Sequence, residues 1–332
     1  MNTAEVCVLL PAMDEAETVG SVVTGFREVG FDEILVVDGG SDDGTQTRAR
    51  EAGARVVEQR DRGKGQAIRQ AVQEEIRRPI VLMADADGTY DPSDAARMLD
   101  PIQNGRAEHV IGDRFGDLEP GAMTRLNEVG NRLANGVFGV VHGERLGDIL
   151  SGYRAFTRRS IRRYSLSADG FGIETELSVE TVKHGTTVEV VPVTYRARPA
   201  GSETNLHPIT DGARIFGTLY RLAKTSNPLF YFGSIGSVAL LAGLVIALYV
   251  GAEWFLRTPP VPHEALTVVG AAAVILGVQL LVFGVLSDVI ITANREQTRR
   301  MEQLVERLVE EGEGRDDPDA VSSKRKTAGS EE

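Results

Sequence analysis

The sequence predicts an α/β fold, a mostly parallel, doubly wound sheet, followed by two transmembrane helices. Three observations carry this. First, short apolar runs alternate with amphipathic segments over the first ~200 residues, the pattern of strands joined by crossover helices. Second, residues 229–250 and 266–287 are uncharged and mainly apolar. Third, acidic and glycine-containing segments fall at the carboxyl ends of the strand-like runs, the edge where open α/β sheets bind ligands.

The strand-like runs are residues 6–10, 33–37, 54–58, 80–84, 109–112 and 187–195. Helical patterns lie between them, among others at 15–29, 65–77 and 92–102. Pro11 is expected to break the first strand and Glu15 to open the first helix. Pro92 stands at a helix start, where its missing N–H costs nothing.

Composition narrows the function classes. A chain of 332 residues can form one sizeable domain plus an appendage. Its net charge of −12 argues against sequence-independent nucleic-acid binding. Only five of its 36 basic residues are lysine. An acidic, lysine-poor surface suits a salt-loaded cytoplasm, where dense charge is screened, and so points to a halophile. The single cysteine, Cys7, lies in a core-strand run, so neither a disulfide framework nor a cysteine metal site is expected. No signal-peptide pattern is read at the start.

Each uncharged stretch is 22 residues long, enough to cross a ~30 Å hydrocarbon layer as a helix. Arg221 and Lys224 precede the pair, Arg295, Arg299 and Arg300 follow it, and the joining loop has Arg257 alone. The positive-inside rule then places a multi-pass protein in the cell membrane with its large domain and both termini in the cytoplasm. The expected division is a catalytic domain over 1–210, an interfacial amphipathic helix over 211–228 and two spans over 229–293. A cytoplasmic amphipathic helix over 294–312, a candidate self-association face, and a disordered tail over 313–332 complete it. Residues 123–141 form a further amphipathic segment that could rest on lipid; core packing is the alternative for it and for 211–224.

The chemistry centres on residues 81–92, VLMADADGTYDP. Asp85 and Asp87 follow an apolar run one residue apart, and in extended chain residues two apart face the same side. Two such carboxylates suit Mg²⁺ or Mn²⁺ held against a diphosphate; a solvated polar loop is the competing reading. Asp38 ends the second strand beside Gly39, Gly40 and Gly44, which let a ligand approach the backbone. RGKGQA at 62–67 lacks the spacing of a P-loop, so Lys64 reads first as a helix start and second as a phosphate contact. Arg114, in GDRF after a strand, could meet a diphosphate or form a structural ion pair.

Taken in order, PAMDE, DGGSDDGT, DADGTYDP, GDRF, GDILSGYRAF and YRARPAGSETNL, ahead of two spans, resemble the family 2 glycosyltransferases. The chain is most similar to the polyisoprenyl-phosphate hexose synthases, archaeal S-layer N-glycosylation members among them, over about residues 5 to 293. The resemblance implies a GT-A fold, a nucleotide-sugar donor, Mg²⁺ or Mn²⁺, and a dolichyl or polyprenyl phosphate acceptor at the bilayer. It implies that Pro11, Met13, Glu15, Asp38 and Asp85 bind the nucleotide. Asp85, Asp87 and Thr89 surround the metal, with Asp87 the direct ligand. Arg114 meets the diphosphate, and Asp148 and Arg154 form the acceptor side, Asp148 orienting Arg154 or the acceptor phosphate. Arg198 and the segment at Asn205 contact phosphate. Relatives often carry lysine where this chain has Asn205; Arg196 or His207 is a candidate substitute.

An acceptor phosphate monoester with a second pKa near ~6 is already ionised at neutral pH. Transfer to it needs no general base, only positioning and charge stabilisation, and direct displacement inverts the anomeric centre. UDP-glucose is favoured as donor on the archaeal resemblance, with GDP-mannose second. Transfer to a hydroxyl of a lipid-linked saccharide would need a base, and a non-catalytic scaffold would need none of these acids.

Overall fold

The computed structural model describes residues 1–167, 172–198, 217–224, 226–256 and 263–313. It divides into two compact units, Met1–Tyr231 and Phe232–Glu332.

The first unit is built on seven strands: β1 (Val6–Ala12), β2 (Ile34–Asp38), β3 (Arg55–Glu58), β4 (Ile80–Met83), β5 (His109–Leu118), β6 (Arg154–Thr157) and β7 (Val188–Tyr195). They run in the order β3-β2-β1-β4-β6-β5-β7. All neighbours are parallel except β6, which lies antiparallel between β4 and β5. The connecting helices are α1 (Val19–Glu28), α2 (Thr45–Glu51), α3 (Lys64–Gln70), α4 (Ala95–Gln103), α5 (Arg125–His142), α6 (Arg158–Ile161) and α7 (Ile173–His184). The central strands are apolar on both faces, because helices cover both. One core holds Val8, Leu10, Val36 and Leu82 against Val23, Phe26 and Leu99. The other holds Leu9, Leu35, Val37 and Met83 against Ile68, Val72 and Leu177.

Four sequence expectations change. Pro11 does not break β1; it pairs in register with Val37. The Leu9 carbonyl accepts from Ala84 N–H on the β4 side, and the Ala12 carbonyl accepts from Gly39 N–H on the β2 side. By alternation Pro11 faces the β4 side, where β4 has ended at Met83, so no ladder bond is lost. The first helix starts at Val19, not Glu15, after a turn in which the Glu15 carboxylate accepts from the Thr18 hydroxyl at 2.9 Å. The strand at 109–112 runs on to Leu118 through an irregularity between Asp113 and Asp117, so Arg114 lies within β5, not after it. β6 was not expected: its four residues are too few for a periodic signal.

Pro92 does open a helical segment. It begins a 3₁₀ turn, Pro92–Asp94, capped by Asp91 accepting from Ser93 N–H.

Residues 217–224 form a helix, α8. Leu219 packs into a cluster with Ile111, Ala134 and Phe138, and Leu222 lies against it. Residues 211–216 of the expected interfacial segment lie outside the described residues. Asn227 caps the next helix, its side chain accepting from Phe230 N–H at 3.0 Å. This helix is α9 (Pro228–Leu256), with proline at its favoured first position.

In the second unit, α9 and α10 (Glu264–Glu313) are antiparallel and pack closely through glycines. A Cβ at Gly277 would stand 2.6 Å from the Leu240 nitrogen and 2.7 Å from the Gly236 carbonyl, so only glycine fits. Both helices are long and apolar enough to cross a membrane, over Pro228–Leu256 and Glu264–Asn294. The helix expected separately at 294–312 is a continuation of α10.

Candidate active site

The site lies where β1, β2 and β4 end. β4 stops at Met83, so Asp85 and Asp87 sit in a turn beyond the strand. The expected alternation therefore does not place them: each carboxylate is held by its own cation.

Asp85 receives Lys64, the first residue of α3. The same ammonium bonds Glu174 in the first turn of α7 at 2.6 Å. Burial opposes the Lys64 charge, but Asp85 and Glu174 outweigh it and push the pKa up. Gly152 forms the wall on the other side. Any Cβ there would overlap the Asp85 carboxylate, so the loop before β6 closes on Asp85 only because this residue is glycine. The Tyr90 hydroxyl accepts from Gly152 N–H at 2.9 Å and fixes that approach. Burial in turn raises the Tyr90 pKa and keeps its proton.

Asp87 is almost fully buried and accepts from the Thr89 hydroxyl at 2.6 Å and the Thr89 N–H at 3.1 Å. Its other oxygen accepts from Arg198 at 2.6 Å. Arg198 also lies 3.9 Å from Glu15. Burial raises the Glu15 pKa, its bond from Thr18 lowers it, and the nearby charges of Asp87 and Asp85 push it further up. Glu15, Asp85 and Asp87 therefore share one neighbourhood, with Lys64 and Arg198 as counter-ions. Arg196 is engaged by Asp91.

Asp38 lies at the end of β2, buried, and serves its own loop. It accepts from Gly40 and Ser41 N–H at 3.0 Å each, the Ser41 hydroxyl at 2.6 Å and the Gln46 amide at 2.8 Å. That loop lies against Met13: Gly39 packs on the Met13 side chain, which is otherwise exposed. An exposed apolar side chain at the sheet's ligand edge can cover a flat base.

Asp148 pairs with Arg114 rather than Arg154. The contact is bidentate, Arg114 Nε to Oδ2 at 2.5 Å and Nη2 to Oδ1 at 2.9 Å, and Asp148 has no exposed surface. Burial lowers the Arg114 pKa, but Asp148 outweighs it and leaves it well above normal. The Tyr195 ring stacks on the same guanidinium, 5.3 Å from its centroid.

Arg154, expected on the acceptor side, is fully buried as the first residue of β6. It donates to the carbonyls of Ser151 at 2.8 Å and Ile149 at 2.7 Å, and to the Ser178 hydroxyl at 3.0 Å. Burial pushes its pKa down to about 10. His109 stands beside it. Thr181 donates its hydroxyl proton to the Leu177 carbonyl at 2.6 Å, so its oxygen must accept from His109 Nδ1 at 2.8 Å. This leaves Nε2 unprotonated, facing Arg154 at 3.4 Å. Burial and Arg154 both lower the His109 pKa and keep the ring neutral. The network ties the loop 148–152 to α7. Asn205 and His207 lie outside the described residues.

Among the described residues no group of three or more His, Cys, Asp or Glu side chains encloses a metal. The donor set at Asp87 still fits Mg²⁺ or Mn²⁺ of the kind bound through one or two carboxylates, with diphosphate and water supplying the other oxygens. Sequence reasoning missed Glu174, Tyr90 and Gly152. Lys64 had a signal in RGKG; Glu174 had none, since a glutamate in a helix's first turn reads as a dipole partner.

A mostly parallel sheet with acidic turns at its carboxyl edge, and cations set against them, is the architecture of a glycosyltransferase with the GT-A fold. The sequence profile of glycosyl transferase family 2 matches residues 7–166. The chain is 56% identical over 299 residues to glycosyltransferase AglJ of Haloferax volcanii, covering 90% of this chain and 98% of that one. It is 34% identical over 215 residues to the dolichyl-phosphate hexose transferase of the same organism, covering 64% and 90%. Among solved structures it resembles Mycobacterium tuberculosis glucosyl-3-phosphoglycerate synthase in complex with Mn²⁺, UDP-glucose and phosphoglyceric acid. That likeness has a TM-score of 0.54 at 24% identity, covering 67% and 82%, and speaks to the fold. This chain belongs to glycosyl transferase family 2.

Proposed function

We propose that the protein is a membrane-bound, inverting hexosyltransferase that moves a hexose from a nucleotide sugar to dolichyl or polyprenyl phosphate. It would act at the first step of lipid-linked glycan assembly for protein N-glycosylation. UDP-glucose is the favoured donor and GDP-mannose the second. The observation that supports the reading is the pair Asp85 and Asp87 at the sheet edge, each neutralised by its own cation, Lys64 and Arg198. In this reading the site exchanges ionic partners: an entering diphosphate offers Arg198 a new anion and frees Asp87 for a divalent cation.

Asp87, supported by Thr89, would hold the metal, whose contribution when bound is neutralising charge on the departing diphosphate. Asp85, fixed by Lys64 and Gly152, would accept from a ribose or sugar hydroxyl. The base would lie on Pro11 and Met13, in the loop organised by Asp38. Arg198 would move from Asp87 and Glu15 to phosphate oxygens, and Asn205 would lie near them. The Arg114–Asp148 and Arg154 networks position the acceptor-side loop 148–152. No general base is required, because the acceptor phosphate arrives ionised.

The lipid part rests on α5. Leu126, Val129, Leu133 and Val140 are exposed on one face, 62%, 64%, 56% and 73%, far beyond what a helix presents to water. The helix's end is tied to the chain entering the first span: Asn227 donates to the Val141 carbonyl, and His142 donates to the Ser226 hydroxyl at 2.9 Å. In this reading the exposed apolar face of α5 would meet the bilayer surface. The test incubates purified protein, Mg²⁺, labelled nucleotide sugar and dolichyl phosphate. Labelled lipid with one hexose donor is expected; none with any common donor refutes the assignment.

A further inference from the structure

At the opposite end of β4 from Asp85 lies a cavity of about 590 Å³ that the transfer reaction does not use. It sits between the start of β4 at Ile80 and the end of β6 at Thr157. Arg77, Arg158, Arg159 and Arg162 line it, with Glu5 as the one acid. In a chain of net charge −12 this is an unusual concentration of positive charge. Other arginines have carboxylates: Arg55 has Glu75, Arg60 has Glu74, Arg78 has Glu33 and Arg163 has Glu108. Among the described residues no ion pair forms at Arg77, Arg158 or Arg162, and the Arg158 Nε is buried without a hydrogen-bond partner.

Four arginine side chains lining one cavity with a single acid repel one another unless an anion lies between them. Guanidinium forks match tetrahedral and planar oxyanions bidentately. The volume admits an anion larger than a single phosphate.

We propose that this cavity binds a multiply charged phosphate anion, either free in solution or carried on a lipid headgroup. Binding depends on short contacts, since at about 1 M salt the screening length is only ~3 Å.

The test uses the full chain in neutral detergent with EDTA and about 1 M KCl, titrated calorimetrically. One arm uses inorganic pyrophosphate, the other water-soluble dihexanoyl phosphatidic acid. Saturable binding in either arm, weakened at least tenfold by the Arg158→Gln/Arg162→Gln pair while UDP binding is unchanged, is the expected result, and the stronger arm identifies the source. No saturable binding in both arms, or equal binding by the variant, overturns the proposal. Arg77→Gln, at an exposed position, gives a second variant should the pair fold poorly; it should weaken the same binding, and an unchanged affinity counts against the site.

Discussion

Replacing Asp148 by asparagine tests whether the GDILS segment acts on substrate directly or through its brace. The Arg114–Asp148 contact is bidentate, and Asp148 is completely buried. Asparagine keeps one acceptor but leaves the Arg114 charge unbalanced, and breaking one side of a buried pair costs about 3–5 kcal/mol. For a unit of this size each kcal/mol lowers Tm by about 2–4 °C, so a drop of roughly 6–20 °C follows. The assay is thermal unfolding by circular dichroism of the full chain at fixed salt. The double change Arg114→Met/Asp148→Leu should recover most of the loss, since apolar groups of similar volume replace buried pairs at little cost. Below both melting points, Asp148→Asn should retain turnover within about tenfold. A variant that melts within ~2 °C of the parent, or one fully folded yet inert, refutes the brace and places Asp148 at the chemistry.

Four further outcomes follow from the same geometry. Gly152→Ala pushes a methyl into the Asp85 carboxylate, so donor KM should rise about tenfold, or ~1.4 kcal/mol, with the fold retained; an unchanged KM in steady-state kinetics contradicts the cradle. Glu174→Gln removes one of the two anions that position Lys64 and should likewise raise donor KM, with rescue by Glu174→Asp; loss of kcat alone would oppose it. Leu133→Glu, on the exposed face of α5, should raise KM for the lipid acceptor and leave donor KM and Tm unchanged; equal use of lipid would exclude membrane contact there. Glu15 has a raised folded pKa, so its ionised form costs stability once pH passes that value, while below the ordinary carboxylate range both states are protonated. Glu15→Gln in EDTA should therefore be more stable than the parent at neutral pH and equal to it near pH 3; a gain that grew on acidification would have the wrong sign.

The framework was legible because strand and helix periods are local. Runs such as VCVLL and ILVV, apolar at every position, read as central parallel strands, and two 22-residue uncharged stretches read as long apolar helices. β6 escaped because four residues cannot show a period, and because its antiparallel place is set by β4 and β5 rather than by its own sequence. In the site, the acids were readable from DADG, yet their partners were not. Lys64 lies 21 residues from Asp85, Glu174 lies 110 from Lys64, and Arg198 lies 111 from Asp87. Ion pairs at such separations are products of topology. Motif resemblance placed Asp148 and Arg154 together on the acceptor side, and both do brace the same loop. Their pairing differs because Arg154 begins a buried strand, while Arg114 extends from the lengthened β5 to reach Asp148.

The central claim is that Asp87 exchanges Arg198 for a divalent cation when the donor's diphosphate enters. Calorimetric titration of UDP into the full chain, with Mn²⁺ and with EDTA, tests it most directly in the parent and in Asp87→Asn. The account predicts binding in the parent that is at least about tenfold tighter with Mn²⁺, and an Asp87→Asn protein of unchanged fold in which that difference disappears. Metal-independent UDP affinity in the parent, or a Mn²⁺ effect that survives in Asp87→Asn, would contradict it.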